Sequence, residues 1–110
     1  MHDLDAVIAA PKQHRVVLEN DLVRVLDTRI EPGETTPMHT HDWPAACYVL
    51  SWDHVVRRDA TGETTFDSRA MGLKLEPGQS TWLGVLEPHT LENVGTNPVH
   101  LICVEIKSGT

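Results

Sequence analysis

Short runs rich in valine, leucine, isoleucine and threonine fill the chain from Arg15 onward, and turn-forming residues interrupt them at close intervals. Such spacing is typical of all-β sandwiches and barrels. The predicted strands are 14–19, 22–31, 36–41, 45–52, 54–58, 63–67, 70–75, 80–84, 88–93 and 98–107. No segment after residue 12 has the spacing of a long helix, so we predict an all-β fold.

The first dozen residues differ from the rest. Apolar residues at helical spacing, followed by Pro11, predict a short helical or irregular arm over residues 1–12. A chain of 110 residues has room for one core, so residues 13–110 are predicted to form a single barrel domain. The phrase Glu-Pro-Gly occurs at 31–33 and at 76–78, and both copies predict tight turns at corresponding corners of two halves.

Charge and composition exclude several classes of partner. The formal net charge is −7 and no cluster of lysine or arginine offsets it, so we expect no binding to nucleic acid. No apolar run approaches the roughly 20 residues that cross a bilayer, and the acidic start is unlike a signal peptide, so we expect no membrane partner and a cytoplasmic location. Cys47 and Cys103 are expected to be buried free thiols.

The chemistry is expected at a pair of histidines separated by one residue. In a strand, His39 and His41 leave the same face about 7 Å apart, so two imidazoles can share an ion. His89, fixed by the preceding proline, is the best candidate for a third ligand, and Asn93 shares its face in a regular strand. His2, His14 and His54 have no partner pattern.

A lone histidine pair is only moderately specific, because strand histidines are more often exposed or hydrogen-bonded than ligands. The full pattern is more informative: Gly33-x5-His39-x-His41, then Pro77-Gly78-x10-His89-x3-Asn93. It resembles the two motifs of the cupin superfamily, over about residues 20–107. Within that superfamily the chain looks like the small single-domain bacterial cupins of the conserved-barrel type, by its segments Asn20-Asp21-Leu22-Val23-Arg24-Val25 and Pro37-Met38-His39-Thr40-His41.

This resemblance implies a double-stranded antiparallel β-helix, the cupin or jelly-roll barrel, with one divalent metal ion held by His39, His41 and His89. The chain departs from the first motif where a glutamate should follow His41, because Ala45 and Ala46 occupy that region. Three neutral ligands would leave the charge of the ion uncompensated, which favours an anionic substrate. The alternative is that the metal site has been weakened or lost.

Similar three-histidine sites occur in cupin dioxygenases that use ferrous iron. The resemblance therefore implies an iron(II) dioxygenase-like oxidoreductase acting on a small enolisable or anionic molecule, although zinc, nickel, manganese and copper also suit imidazole. A non-redox metal-dependent isomerase or lyase and a non-enzymatic small-molecule-binding barrel remain open. We also expect a homodimer, because a small barrel has edge strands to protect.

Six further residues are candidates for the cavity wall or for supporting the ligands: Trp43, Cys47, Trp82, Asn93, His100 and Arg24. If strand alternation persists from His41, Trp43 and Cys47 share its face. Trp82 either faces inward, where an indole can stack on a planar substrate, or has a purely structural role.

Each of the other three candidates could have a role outside the site. Arg24 is expected to point to solvent, with pairing to an anionic substrate as the alternative. Asn93 is expected to anchor the loop that follows it more than to support a ligand. Nothing in the spacing of His100 distinguishes a cavity residue from a surface histidine.

Overall fold

The structure is a computed structural model and describes residues 3–107. Its elements are α1 (Ala6–Ala9), β1 (His14–Glu19), β2 (Val23–Ile30), β3 (His39–His41), β4 (Ala45–Ser51), β5 (Val55–Asp59), β6 (Thr64–Asp67), β7 (Ser80–Leu83), β8 (Leu86–Asn93) and β9 (Val99–Ile106). The all-β prediction is confirmed. Four residues of helix are far fewer than a membrane-crossing helix requires.

The strands form two antiparallel sheets that face each other. One sheet has the order β1-β2-β9-β4-β7 and the other the order β3-β8-β5-β6. Inward and outward residues alternate along β2 and β4, as expected for strands with one face on a core. Leu26, Ile30, Val49, Val55 and Val99 are at most 2% exposed and form much of that core.

The two Glu-Pro-Gly segments form tight turns, as predicted. Glu34 N donates to Glu31 O at 3.0 Å, and Gln79 N donates to Glu76 O at 3.0 Å. The intervening glycines, Gly33 and Gly78, have φ angles of 80° and 92°. Proline before a glycine with positive φ is the signature of a type II turn.

The strand predicted at 70–75 is wrong, because this segment forms turns. Asp67 Oδ1 accepts hydrogen bonds from the backbone N–H groups of Arg69 and Ala70, each at 3.1 Å. Leu73 N then returns to Ser68 O at 2.8 Å. These local bonds take up backbone donors that a sheet ladder would need.

The N-terminal arm is docked on the barrel. Asp5 caps α1 by accepting from Val7 N at 3.2 Å, and it forms a parallel bridge with Thr40 of β3. Leu4 O accepts from Thr40 N at 2.7 Å. The arm therefore packs beside the predicted metal ligands. The proposed division into residues 1–12 and 13–110 stays a prediction, and its positions 1, 2 and 108–110 lie outside the described residues.

Candidate metal centre

Four buried histidines converge at one end of the barrel interior. His39 and His41 lie on β3, His89 is directly opposite His39 in the β3–β8 register, and His14 begins β1. The ring centroid of His39 lies 4.3 Å from that of His89, 4.7 Å from that of His14 and 5.0 Å from that of His41. All four are at most 9% exposed. We call these four residues the histidine cluster.

Three of them are grouped closely enough to hold a metal ion. One ligand nitrogen from each of His14, His39 and His41 lies within 4.8 Å of the others. Since metal–nitrogen distances are about 2.0–2.1 Å, two ligands of one ion are separated by at most about 4.2 Å, and small side-chain movements suffice. The described residues therefore contain a three-histidine site that can bind a divalent metal ion.

Backbone carbonyls fix the tautomer of three imidazoles. In each, the carbonyl lies two or four residues earlier in the chain: His14 Nδ1 to Ala10 O (3.0 Å), His39 Nδ1 to Pro37 O (2.8 Å) and His89 Nδ1 to Glu87 O (2.7 Å). A carbonyl oxygen only accepts, so Nδ1 carries the proton and Nε2 keeps its lone pair. This is the arrangement that orients a histidine ligand.

The same three histidines are held neutral. Burial, with a smaller contribution from neighbouring imidazoles, lowers the pKa of His14 to about 3 and that of His89 to about 3. Burial lowers the pKa of His39 to about 4. A metal ion binds the neutral imidazole, so near neutral pH these three imidazoles are already in the form that a metal ion requires.

The fourth imidazole, His41, contacts a buried ion network formed by Asp5, Arg24 and Glu105. His41 Nδ1 lies 3.4 Å from Glu105 Oε2. Arg24 Nε donates to Glu105 Oε1 at 2.5 Å, and its two terminal nitrogens donate to Asp5 at 2.9 and 3.0 Å. The side chains of all three network residues are 1% exposed. A carboxylate is thus placed to orient His41.

Arg24 was expected to point to solvent, and this prediction is wrong. Burial opposes its charge, but the hydrogen bonds that Arg24 donates to Asp5 and Glu105 outweigh burial and raise the pKa of Arg24. The sequence does not show that Arg24 has an acidic partner, because Glu105 is 81 positions away in the chain.

The histidine cluster lines a cavity of about 170 Å³ whose wall is mainly apolar. An apolar cavity of about 150 Å³ can hold benzene, so the space suits a small molecule. Glu105, Trp52 and Arg57 also contribute to the wall.

Solved structures identify this architecture. A cupin domain from Bordetella pertussis superposes with a TM-score of 0.67 and 21% identity, over 86% of this chain and 92% of that one. The fold is the cupin fold. An RmlC-like cupin with a double-stranded β-helix fold from Methanocaldococcus jannaschii covers 87% of this chain and 80% of its own, with a TM-score of 0.60 and 9% identity.

The polyketide cyclase RemF from Streptomyces resistomycificus is also similar, with a TM-score of 0.54 and 20% identity, over 84% of this chain and 63% of that one. No protein-family model matches the sequence, and no curated protein matches it. The predicted cupin fold is therefore confirmed by structure.

The cupin pattern leads us to expect a glutamate near Ala45, and the structure places a carboxylate beside that position. In the β4–β9 register, Ala45 is directly opposite Glu105. Glu105 contacts Nδ1 of His41. In the other three histidines Nδ1 is bonded to a carbonyl and Nε2 is the nitrogen left free for a metal. Arg24 neutralises much of the charge of Glu105. Its place in the site is therefore to support His41.

The histidine that sequence reasoning missed is His14. The sequence predicts no partner for it, yet it lies in the three-histidine group with His39 and His41. No spacing motif marks it, because the docking of the arm on β3 is what brings it there. The predicted ligand set of His39, His41 and His89 stays a prediction.

Two of the other candidates line the cavity. Cys47 is buried and directly opposite Cys103 in the β4–β9 register, and both are free thiols. Trp82 is 63% exposed and contributes to the wall from β7.

Three candidates have contacts elsewhere. Trp43 packs on Arg24, with 5.0 Å from the guanidinium carbon to the ring centroid. Asn93 holds the following loop by accepting from Gly95 N at 2.9 Å, in the structural role expected for it. His100 Nε2 lies 2.7 Å from Asp27 Oδ1.

Proposed function

We propose that the histidine cluster binds one divalent metal ion, with iron(II) preferred, and that the protein is a dioxygenase-like oxidoreductase. The substrate would be a small enolisable or otherwise anionic molecule. The observation that carries the metal proposal is the set of neutral imidazoles whose Nδ1–H groups are fixed by carbonyls. Such a donor set fits a first-row transition metal.

Iron(II), if held by imidazoles of the histidine cluster, would supply a redox-active centre open to a small anion and to oxygen. The chain provides the surroundings for this chemistry. Backbone carbonyls and Glu105 orient the imidazoles, and the mainly apolar wall surrounds a bound substrate with few polar groups. The cavity of about 170 Å³ limits the substrate to a small molecule.

A second candidate is non-redox chemistry, with the ion acting as a Lewis acid in an isomerase or lyase. The presence of a fourth imidazole favours it. Four imidazole ligands would leave the ion less room for a substrate together with oxygen than three, which suits a Lewis-acid role that needs only the substrate. The ring centroids of His89 and His39 are only 4.3 Å apart, so this larger ligand set is within reach.

Metal content tests the proposal and chooses between the ligand sets. Protein without a histidine tag is analysed by inductively coupled plasma mass spectrometry, together with alanine variants of His14, His39 and His89. The matched control is His100→Ala, since His100 pairs with Asp27 and does not line the cavity. We expect about one metal ion per chain in the wild type and the control, and loss of metal in His39→Ala.

The outcomes separate the hypotheses. Loss of metal in His14→Ala but not in His89→Ala assigns the third ligand to His14, and the reverse assigns it to His89. Absence of metal in the wild type, even after anaerobic reconstitution with iron(II), refutes the proposal and leaves a non-enzymatic binding barrel. Oxygen uptake with a panel of small diketones and carboxylates tests the oxidoreductase, and anaerobic turnover would instead support the non-redox candidate.

A further inference from the structure

The wall of the cavity includes one charged side chain besides the histidine cluster and Glu105, the guanidinium of Arg57. Arg57 lies on β5 opposite Leu91, and Asp59 is opposite His89, so Arg57 and His89 project from the same face of the β5–β8 pair. Both residues line the cavity. Arg57 is half-buried, and a guanidinium keeps its charge in such surroundings.

Arg57 has no acidic partner among residues 3–107. The chain has six arginines, and each of the other five forms an ion pair with an aspartate or glutamate. The Arg57 guanidinium lies over the ring of Phe66, with 5.0 Å from its carbon to the ring centroid. Its neighbour Arg58 faces the other way and pairs with Glu92 at 2.8 Å. Removing a cation from water without a counter-ion costs free energy, so the binding of an anion beside Arg57 is favoured.

Trp52 supplies an independent second observation. Its Nε1 is buried and has no hydrogen-bond acceptor, although Trp52 lines the same cavity. Buried N–H groups are nearly always paired, and a turn of the indole toward the cavity would let a ligand there supply the missing acceptor. Trp52 and Phe66 pack against one core cluster, and the Arg57 guanidinium lies over the Phe66 ring.

We propose that Arg57 and Trp52 form a subsite for the carboxylate of a small monocarboxylate whose apolar body fills the cavity toward the histidine cluster. A carboxylate only accepts hydrogen bonds, and its two oxygens match a guanidinium fork and an indole N–H. The mainly apolar wall and the volume of about 170 Å³ fit a body about as large as a benzene ring. That this ligand is the substrate rests on the proposed function, whereas the subsite itself does not.

The probes are benzoate and its neutral analogue benzamide. Isothermal titration calorimetry measures both with chelator-treated protein and with the zinc(II)-loaded protein. We expect benzoate to bind at least about tenfold more tightly than benzamide in both forms, because bonds to charged groups are the stronger ones. Arg57→Met should abolish this preference, and the matched control Arg58→Met should keep it.

Trp52→Phe provides a second variant that keeps an aromatic ring and removes the donor, and it should weaken benzoate binding several-fold. The subsite is overturned if the wild type binds both probes equally or binds no benzoate. It is also overturned if Arg57→Met retains the preference, or if the preference depends on zinc and not on Arg57, since the carboxylate then binds the metal. Metal content of the same preparations reports separately on the proposed function.

Discussion

Replacing Arg24 by methionine should be among the most damaging single changes to the fold. The substitution removes the guanidinium that pairs with both Asp5 and Glu105, whose side chains are 1% exposed. Breaking a buried ion pair by removing one partner typically costs about 3–5 kcal/mol, because the other charge is left uncompensated. Small domains are stable by about 5–15 kcal/mol, so Arg24→Met should lose a large share of the free energy of unfolding.

Urea unfolding of the metal-free proteins at pH 7 measures this loss. The matched control is Arg15→Met, because Arg15 pairs with Asp27 at 2.9 Å but its side chain is 71% exposed. An exposed pair contributes at most about 1 kcal/mol, so the control should unfold almost as the wild type does.

The pH dependence gives a second readout. In the wild type, burial raises the pKa of Asp5, but the hydrogen bond and charge of Arg24 outweigh it and lower the pKa below 3.8. That contribution to stability is present above pH 3.8 and is lost as the pH falls. Without Arg24, burial is opposed only by the smaller effects of the Val7 N–H and of His41, so the pKa of Asp5 rises and the deficit relative to the wild type should shrink from pH 7 to pH 5. A deficit below about 1 kcal/mol, or one equal at both pH values, would refute a buried charge network.

Four further predictions concern other parts of the molecule. Metal-free protein should lose stability between pH 6.5 and pH 5, because burial lowers the pKa of three histidines of the cluster to about 3 or 4. The loss should be up to about 2 kcal/mol for each of the three, and a urea-unfolding free energy that does not change with pH would contradict this. Glu105→Gln should weaken zinc binding by about 10–100-fold in a chelator competition, since it removes the carboxylate beside His41, and unchanged affinity would show that Glu105 does not support the ligand. Cys47 and Cys103 should react with a thiol reagent far more slowly in the folded protein than in urea, and equal rates would show that they are accessible. Sedimentation equilibrium should show a homodimer, and a monomer at all concentrations would refute that expectation.

The fold could be predicted because its information is local. Strand alternation and the two Glu-Pro-Gly turns are set by neighbouring residues, and nine of the predicted strands have counterparts in the structure. The failure at 70–75 has a local cause of a different kind, because Asp67 competes with the sheet for backbone N–H groups. The alternation of apolar residues gives no sign of a side chain that accepts hydrogen bonds from these N–H groups.

The site could be predicted only where its residues share a strand or a motif. His39 and His41 leave one face of β3, and His89 follows a turn at a recognisable spacing. His14 lies before the motifs and reaches the cluster because Asp5 fastens the arm to β3. That contact depends on tertiary packing, which spacing in the sequence does not encode.

The same reasoning explains the departure at Ala45. A sequence motif covers residues of one strand, so it shows only that the acid is absent from that strand. In an antiparallel sheet, however, residues directly opposite each other have Cβ atoms only about 4.5–5.5 Å apart, so a residue on the neighbouring strand can occupy nearly the same space. Glu105 lies opposite Ala45, and the small alanine leaves room for its side chain to reach His41. An alanine in the motif and a buried glutamate 60 positions later are therefore two parts of one arrangement, and the missing motif acid is weak grounds for inferring a lost site.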